Sequence, residues 1–192
     1  MDEVKTYISK YTDEELMNLV VERNSNALKI LYERYSRGIF NFTLRYTNNR
    51  EISEDVLQET FTRAWFAAHT FNAGKGTVKT WLFTIGINLT RNEMSKKRYE
   101  YDHLELDAAA GHRAKTEMKE NSLVEKTEIE DAIANALSKL NPFLKEVIIL
   151  KHFHNMKFAE IAEMTNTPVG TLKARFHNAI ARLRELLKEM EF

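Results

Sequence analysis

Apolar residues recur at three- and four-residue spacing through nearly the whole chain, and this pattern constrains the fold more than any other feature of the sequence. The 192 residues include only two prolines and six glycines, the residues that most often interrupt helices. No segment shows the apolar and polar alternation that is typical of a strand. We therefore predict an all-α fold of two small helical domains, of which the C-terminal one is a helix-turn-helix.

The spacing predicts helices over residues 12–21, 26–46, 52–69, 78–97, 128–139, 142–152, 157–165 and 168–190. Residues 99–127 combine scattered charges with an Ala-Ala-Ala-Gly run and lack a long apolar stripe. Such a segment buries too little apolar surface to form a core, so we interpret it as a flexible linker. The expected domains are residues 1–98 and 128–192.

Composition argues against several classes of function. The sequence has no cysteine, which excludes disulfides, thiolate zinc sites and cysteine nucleophiles. His152 and His154 are two residues apart and would point to different helix faces, so no metal site is expected. No arrangement of residues suggests catalysis, and no cofactor is expected. Nothing resembles a signal peptide or a membrane-spanning run, which makes a cytoplasmic location the default.

The net charge of zero hides a segregation of charge along the chain. Residues 99–130 hold four basic and nine acidic side chains. In contrast, residues 72–98 hold six basic residues against the single acid Glu93, and residues 167–184 hold four basic residues and no acid. Two separate basic surfaces are therefore predicted, and nucleic acid is the partner that such surfaces fit.

The second basic segment lies in the predicted helix-turn-helix. Thr165-Asn166-Thr167-Pro168 separates a short helix from a long one, with Pro168 in the first turn of the long helix and Thr167 as its cap. The predicted buried stripe is Val169, Leu172, Phe176, Ala179, Leu183 and Leu187. The opposite side presents Thr171, Lys173, Ala174, Arg175, His177 and Asn178, with Arg182 further along. This face can enter a major groove, although an ordinary solvated helix is the alternative.

The first basic segment, residues 72–98, consists of most of a loop and the helix that follows it. Residues 71–77 contain two glycines, Phe71, Lys75 and Thr77, and the next helix has Val78, Trp81, Leu82, Ile85 and Leu89 on its core face. Its polar side carries Lys79, Thr84, Asn88 and Arg91 and runs into Lys96, Lys97 and Arg98. An aromatic ring beside positive charge can hold an unpaired base, so this region is a candidate site for single-stranded nucleic acid. The alternative is an interhelical loop with Phe71 in the core.

The preceding helix carries an acidic stripe opposite an apolar one. Glu51, Asp55, Gln58 and Glu59 lie opposite the stripe of Leu57, Phe61, Ala64, Trp65 and Ala68. The acidic stripe could bind a basic partner, and solvated surface is the alternative.

Taken together, these segments resemble the extracytoplasmic-function (ECF) sigma factors, the small class of specificity subunits of bacterial RNA polymerase. The resemblance covers residues 20–98 and 127–188. Three runs carry it: Ser-Glu-Asp-Val-Leu-Gln-Glu-Thr-Phe-Thr-Arg-Ala-Trp from Ser53, Thr-Trp-Leu-Phe-Thr-Ile-Gly-Ile-Asn-Leu from Thr80, and Pro-Val-Gly-Thr-Leu-Lys-Ala-Arg from Pro168.

The resemblance implies a role for each surface. Asp55, Gln58 and Glu59 would dock on the clamp helices of core RNA polymerase. The loop and the helix that follows it would capture the minus-ten element of promoter DNA. The C-terminal helix would read the minus-thirty-five element, with Lys151 as a phosphate contact. The resemblance further implies promoter melting, transcription initiation without catalysis by this chain, and an anti-sigma factor as a partner.

Two departures limit what can be carried over. The family often has aspartate where Asn92 stands and arginine where Asn178 stands, so the base preference of the second site does not follow from the resemblance. A free-standing helix-turn-helix regulator is the alternative function. It explains the C-terminal helix equally well but gives no purpose to the acidic stripe or to the basic helix before the linker.

Overall fold

The computed structural model describes residues 10–108 and 128–189, and it describes side chains for residues 10–96 and 128–189. The N-terminal part contains α1 (Asp13–Val21), α2 (Ser25–Thr47), α3 (Arg50–Ala67) and α4 (Val78–Ala108). Two 3-10 turns, Ala68–Thr70 and Ala73–Lys75, connect α3 to α4. The C-terminal part contains α5 (Glu128–Ser138), α6 (Pro142–Ile148), a π-helical turn (Ile149–Phe153), α7 (Phe158–Thr165) and α8 (Val169–Lys188).

The predicted all-α class is confirmed, since no strand occurs among the described residues. Two helical parts lie on either side of the predicted linker, and the C-terminal part contains the predicted helix-turn-helix. Helix α4 continues past the predicted end near Lys97 to Ala108, so the first residues of the predicted linker are helical. Residues 109–127 lie outside the described part of the chain. None of the described helices combines the length and the apolar character that are needed to cross a membrane.

Side-chain caps fix where several helices begin. Thr12 forms a capping box with Glu15 at the start of α1. The side chains of Asn24, Asn49 and Asn141 accept hydrogen bonds from the first backbone N–H groups of α2, α3 and α6. These bonds satisfy donors that have no partner within the helix.

The core of the N-terminal part forms where α2, α3 and α4 pack together. Leu31, Phe42, Leu82 and Ile87 are at most 1% exposed. A small residue lets the helices approach closely, because a Cβ placed on Gly86 of α4 would lie 3.1 Å from Cγ2 of Ile39 in α2.

The C-terminal part packs against this bundle, and a single apolar core runs through both. In the C-terminal part, Ile148, Ile149, Leu150, Met156 and Ile161 are at most 1% exposed. Helix α2 contacts α5 and the π-helical turn, and α4 contacts α7. The sequence left this relative arrangement open.

The helix predicted over residues 142–152 is present, although it is α-helical only to Ile148 and then widens into the π-helical turn. Two local predictions for the C-terminal part are wrong. Pro168, with ψ 140°, is the N-cap of α8 rather than part of its first turn, and the Thr167 hydroxyl donates to the carbonyl of Thr165 instead of capping. Val169 is 37% exposed because it belongs to the first turn of α8, at the edge of the core. Leu172 and Ala179 are buried as predicted.

Candidate nucleic-acid interface

The loop between α3 and α4 is shaped by its own side chains. The Asn72 carboxamide oxygen accepts a hydrogen bond from Gly74 N at 2.8 Å, and the Thr77 hydroxyl accepts one from Thr80 N at 3.1 Å. Gly76 has φ 150°, a conformation that residues with a Cβ rarely adopt. These constraints hold the loop in a defined conformation and leave Lys75 exposed at its tip.

The aromatic residue of this loop is neither fully exposed nor part of the deep core. The ring of Phe71 is half-buried and packs edge-on against Trp81, with ring centroids 6.0 Å apart. Trp81 also lines an open groove of about 530 Å³ between α3 and α4. Arg63, Phe66, His69 and Asn88 line the same groove. An aromatic ring, an amide and positive charge around an open groove are suited to a nucleobase.

The residues of α4 that were predicted to face DNA differ in their exposure and in the contacts they make. Asn88 and Lys96 are exposed, and Lys96 pairs with Glu93 at 2.7 Å. Lys79 and Thr84 are half-buried, and the Thr84 hydroxyl donates to the carbonyl of Thr80. The side chains of Lys97 and Arg98 lie outside the described part of the chain.

Arg91 of α4 forms an ion pair with Glu146 in the C-terminal part of the chain. Its Nε and Nη2 donate to the two carboxylate oxygens of Glu146 at 2.8 and 2.7 Å. The Glu146 side chain is only 5% exposed, whereas that of Arg91 is 34% exposed. The hydrogen bond to Glu146 raises the pKa of the Arg91 guanidinium and outweighs the opposing effect of burial. Two parallel bonds make this a directional, charge-assisted contact between α4 and α6.

A second contact between the two parts centres on His154, which follows the π-helical turn. Its ring lies against Phe83 and Phe42, with ring centroids 5.5 and 6.3 Å apart. Burial, together with the smaller effect of the positive charges of Arg45 and Lys79, lowers the pKa of His154 to about 4. The imidazole is therefore neutral at pH 7.

An apolar groove of about 630 Å³ lies between α2 and α3, and Glu54 and Gln58 of α3 are among the residues that line it. Asp55 and Gln58 are exposed, whereas Glu59 is half-buried and pairs with Arg63 at 2.6 Å. The groove lining includes Leu28, Tyr32, Leu57, Gln58, Phe61, Trp65 and Phe66. Tyr32 and Phe66 are 42% and 65% exposed. An exposed apolar groove beside carboxylates is suited to a helix that carries both apolar and basic residues.

The predicted reading face of the helix-turn-helix is open to solvent over most of its length. Exposed positions on α8 are Thr171, Lys173, Ala174, His177, Asn178 and Arg182. Arg175 is half-buried, and its guanidinium lies 4.7 Å from the centroid of the Phe143 ring. Lys151 is also half-buried; it donates to the carbonyl of Met156 at 3.1 Å and lies over the ring of Phe158.

Sequence reasoning missed several residues of these surfaces. Arg63, Phe66 and His69 line the groove beside Trp81, and Tyr32 lines the groove beside the acidic stripe. Phe66 could have been identified from the sequence, because this aromatic residue is next to Trp65 but lies outside the apolar stripe of α3. Within the described residues, no cluster of three or more acidic or histidine side chains could hold a metal ion.

Two family models match the chain, and they fall on its two helical parts. Sigma-70 region 2 matches residues 31–99, and Sigma-70, region 4 matches residues 130–183.

Similar proteins match over most of the chain. It is 28% identical to the ECF RNA polymerase sigma factor SigW of Bacillus subtilis, over 89% of this chain and 94% of that protein. It is also 28% identical to the ECF RNA polymerase sigma-E factor of Haemophilus influenzae, over 92% of this chain and 94% of that protein.

Two solved structures share the fold. CnrH, in complex with the cytosolic domain of CnrY, aligns with a TM-score of 0.68 and 25% identity, over 92% of this chain and 97% of that one. The sigma factor RpoE of Bartonella quintana, in complex with the anti-sigma factor NepR, aligns with a TM-score of 0.63 and 25% identity. That alignment covers 83% of this chain and 96% of that one.

Proposed function

The chain belongs to the ECF RNA polymerase sigma factors, a non-catalytic family that directs RNA polymerase to promoters, and from this premise we propose how its surfaces divide that task. Residues 1–98 bind the polymerase and the minus-ten element, residues 128–192 bind the minus-thirty-five element, and residues 99–127 join them. The observation that carries this assignment is that one small domain has an apolar groove on α2 and α3, lined also by Glu54 and Gln58, together with a loop and a helix that carry basic residues.

The polymerase contact lies on the groove beside Asp55 and Gln58. Gln58 is exposed and lines the groove, Asp55 is exposed on the same helix, and aromatic and aliphatic residues form most of the lining. A clamp helix with an apolar stripe and basic flanks fits such a surface, because apolar burial supplies affinity and opposite charge supplies orientation. Glu59 lines the neighbouring groove beside Trp81 and pairs there with Arg63, and we assign it to the border of the contact.

The minus-ten contact lies on the loop and on α4. Lys75 and Asn88 are exposed there, and Phe71 packs on Trp81 beside the open groove. Opening a duplex loses on the order of 1 to 2 kcal/mol of stacking for each base-pair step. Stacking an extruded base on protein aromatics returns roughly 1 to 3 kcal/mol, which favours strand separation at this site.

The minus-thirty-five contact lies on α8, which enters the major groove. Lys173 and Asn178 are exposed on its proposed reading face. Lys173 acts on phosphates, whereas Asn178 can read a base edge. Binding two promoter elements at once requires the two domains to hold a fixed separation, which core polymerase would impose.

The protein acts as a dissociable subunit in the cytoplasm, with core RNA polymerase and promoter DNA as its partners. An anti-sigma factor is a further proposed partner. Its support is that two structural relatives are described in complexes, one of them with an anti-sigma factor.

Substitutions in the polymerase contact test this division. We expect the double variant Asp55→Asn, Gln58→Ala to weaken capture of core polymerase at least about tenfold, the effect of losing about 1.4 kcal/mol. Binding of duplex DNA should stay at the wild-type level. Glu22→Gln, which removes an exposed carboxylate elsewhere, is the matched control. Wild-type capture by the double variant would contradict the docking assignment.

A further inference from the structure

Arg175 of α8 contacts an aromatic ring on a neighbouring helix. Its guanidinium carbon lies 4.7 Å from the centroid of the Phe143 ring, within the distance of a cation–π contact. Among the described residues, no hydrogen bond or ion pair engages Arg175. A cation–π contact supplies no carboxylate or carbonyl acceptor, so the N–H donors of Arg175 stay available for a ligand. Arg91 differs in this respect, because its donors are taken by Glu146.

Both residues of this contact belong to helices that pack on each other. Helix α6 contacts α8, and Val147 of α6 and Leu172 of α8 are buried. At the start of α6, the Asn141 carboxamide accepts a hydrogen bond from Phe143 N at 2.9 Å, which fixes the backbone that carries the ring. Phe143 is 55% exposed and is therefore not a core residue. Its ring is a surface group held at a fixed position beside α8.

Arg175 lies at one edge of the proposed reading face of α8. It follows the buried Leu172 by three residues and precedes the buried Ala179 by four, so it lies close to the buried side of the helix and is half-buried. Thr171 and Asn178 are exposed. When a helix lies in a major groove, side chains at the edge of its reading face meet the phosphate backbone, and central ones meet base edges. Arg175 is therefore placed for a phosphate.

We propose that Phe143 is a positioning residue that holds the Arg175 guanidinium at the edge of α8, ready to bind a DNA phosphate. This inference rests on the proposed function, which assigns α8 to duplex DNA. A free arginine side chain loses rotamer freedom when it binds a phosphate. Phe143 removes part of that loss before DNA arrives, and it leaves unused the donors that pair with phosphate oxygens. Phe143 itself makes no contact with DNA.

Five variants of the full chain test the pair. Phe143→Leu and Phe143→Gln remove the ring in two ways, so that one remains if the other does not fold. Phe143→Trp keeps an aromatic face, in the ring type that binds cations best. Arg175→Gln removes the charge, and the fifth variant combines it with Phe143→Leu. Ile129→Ala, at another exposed apolar residue of the C-terminal domain, is the matched control.

Binding is measured by fluorescence anisotropy over a series of salt concentrations, and thermal melting verifies that each variant is folded. The probes are two short labelled duplexes, one made only of A·T pairs and one rich in G·C pairs. Because phosphates are common to all sequences, every loss should be the same on both duplexes.

Phe143→Leu and Phe143→Gln should each weaken binding about threefold, because the side chain of Arg175 must then be ordered during binding. The charge remains, so the slope of log K against log salt concentration should keep its wild-type value. Arg175→Gln should weaken binding further and reduce that slope by about 1. Adding Phe143→Leu to Arg175→Gln should have no additional effect. Phe143→Trp and Ile129→Ala should bind like the wild type.

Three results would overturn the proposal. The first is wild-type binding by the folded variants without the ring. The second is an equal loss from Phe143→Leu with and without Arg175, which would mean that Phe143 acts on DNA or on the fold directly. The third is a loss confined to the G·C-rich duplex, which would place Arg175 on a base edge. Failure of the proposed function has a different signature, because Arg175→Gln and Lys173→Ala would then both bind the two duplexes like the wild type.

Discussion

The ring of His154 packs edge-on against that of Phe83, with ring centroids 5.5 Å apart, and so joins the end of the π-helical turn to the core of the N-terminal domain. Its Nε2 is buried without a hydrogen-bond partner among the described residues. A charged imidazole is disfavoured at this place by burial and by Arg45 and Lys79, and the pKa of His154 is accordingly about 4.

This histidine predicts that the protein loses stability in mild acid. The unfolded chain binds the proton near pH 6.5 and the folded chain only near pH 4, so the stabilisation is complete above pH 6.5 and declines as the pH falls towards 4. Between pH 7.5 and 5 we expect a loss of about 2 kcal/mol in the free energy of unfolding, measured with urea. His154→Phe should reduce this slope, whereas His152→Gln, at an exposed neighbour, should retain it. An equal slope in His154→Phe would exclude His154 as the cause.

Gly76→Ala is predicted to destabilise the loop and the domain interface together. The residue has φ 150°, and the added Cβ would meet the Glu163 carboxylate. We expect a loss of about 1 to 3 kcal/mol in the free energy of unfolding, the usual range for such backbone strain. Gly74→Ala, two residues earlier in the same loop, should cost less, because its Cβ would meet only the Asn72 side chain at 3.1 Å. Equal losses in both variants would contradict the strained geometry assigned to Gly76.

Lys173→Ala is predicted to weaken binding of duplex DNA without changing its sequence preference. Lys173 is exposed on α8, where we assign it to a phosphate. Removing one phosphate contact should reduce the slope of log K against log salt concentration by about 1. Lys139→Ala, at an exposed position outside α8, is the control and should keep the wild-type slope. A changed base preference together with an unchanged slope in Lys173→Ala would assign this residue to a base instead.

Phe71→Leu is predicted to lower the yield of open promoter complexes by more than its effect on protein stability explains. Leucine preserves much of the contact with Trp81 but removes the aromatic ring of the loop. Losing about 1 kcal/mol of base stacking should lower the yield of open complexes about fivefold, measured by 2-aminopurine fluorescence in the minus-ten element. Thermal melting gives the stability for comparison. If the yield falls only in proportion to the fraction unfolded, Phe71 has a purely structural role.

The sequence predicts the fold well where packing is local. The three- and four-residue spacing reflects helix faces directly, so the buried positions Leu82 and Leu172 were found on the correct sides of their helices. The start of α8 was misplaced because Pro168 and Thr167 each fit more than one position at a helix N-terminus.

The interface between the domains could not be predicted, because it depends on pairs far apart in sequence. Nothing near Arg91 in the sequence indicates Glu146, 55 residues away, as its partner. Glu146 lies in an apolar segment, where a single acid at the end of a helix is usually solvated. The basic residues of α4 were therefore all predicted to face DNA, whereas Arg91 is held by α6.

The most direct measurement is transcription from a genomic fragment library by bacterial core RNA polymerase, with and without this protein, followed by sequencing of the RNA starts. We predict discrete new starts that share two upstream motifs at a constant spacing, one for each DNA-binding surface. An unchanged set of starts, from a preparation that binds duplex DNA but not core polymerase, would contradict the account and favour a free-standing regulator.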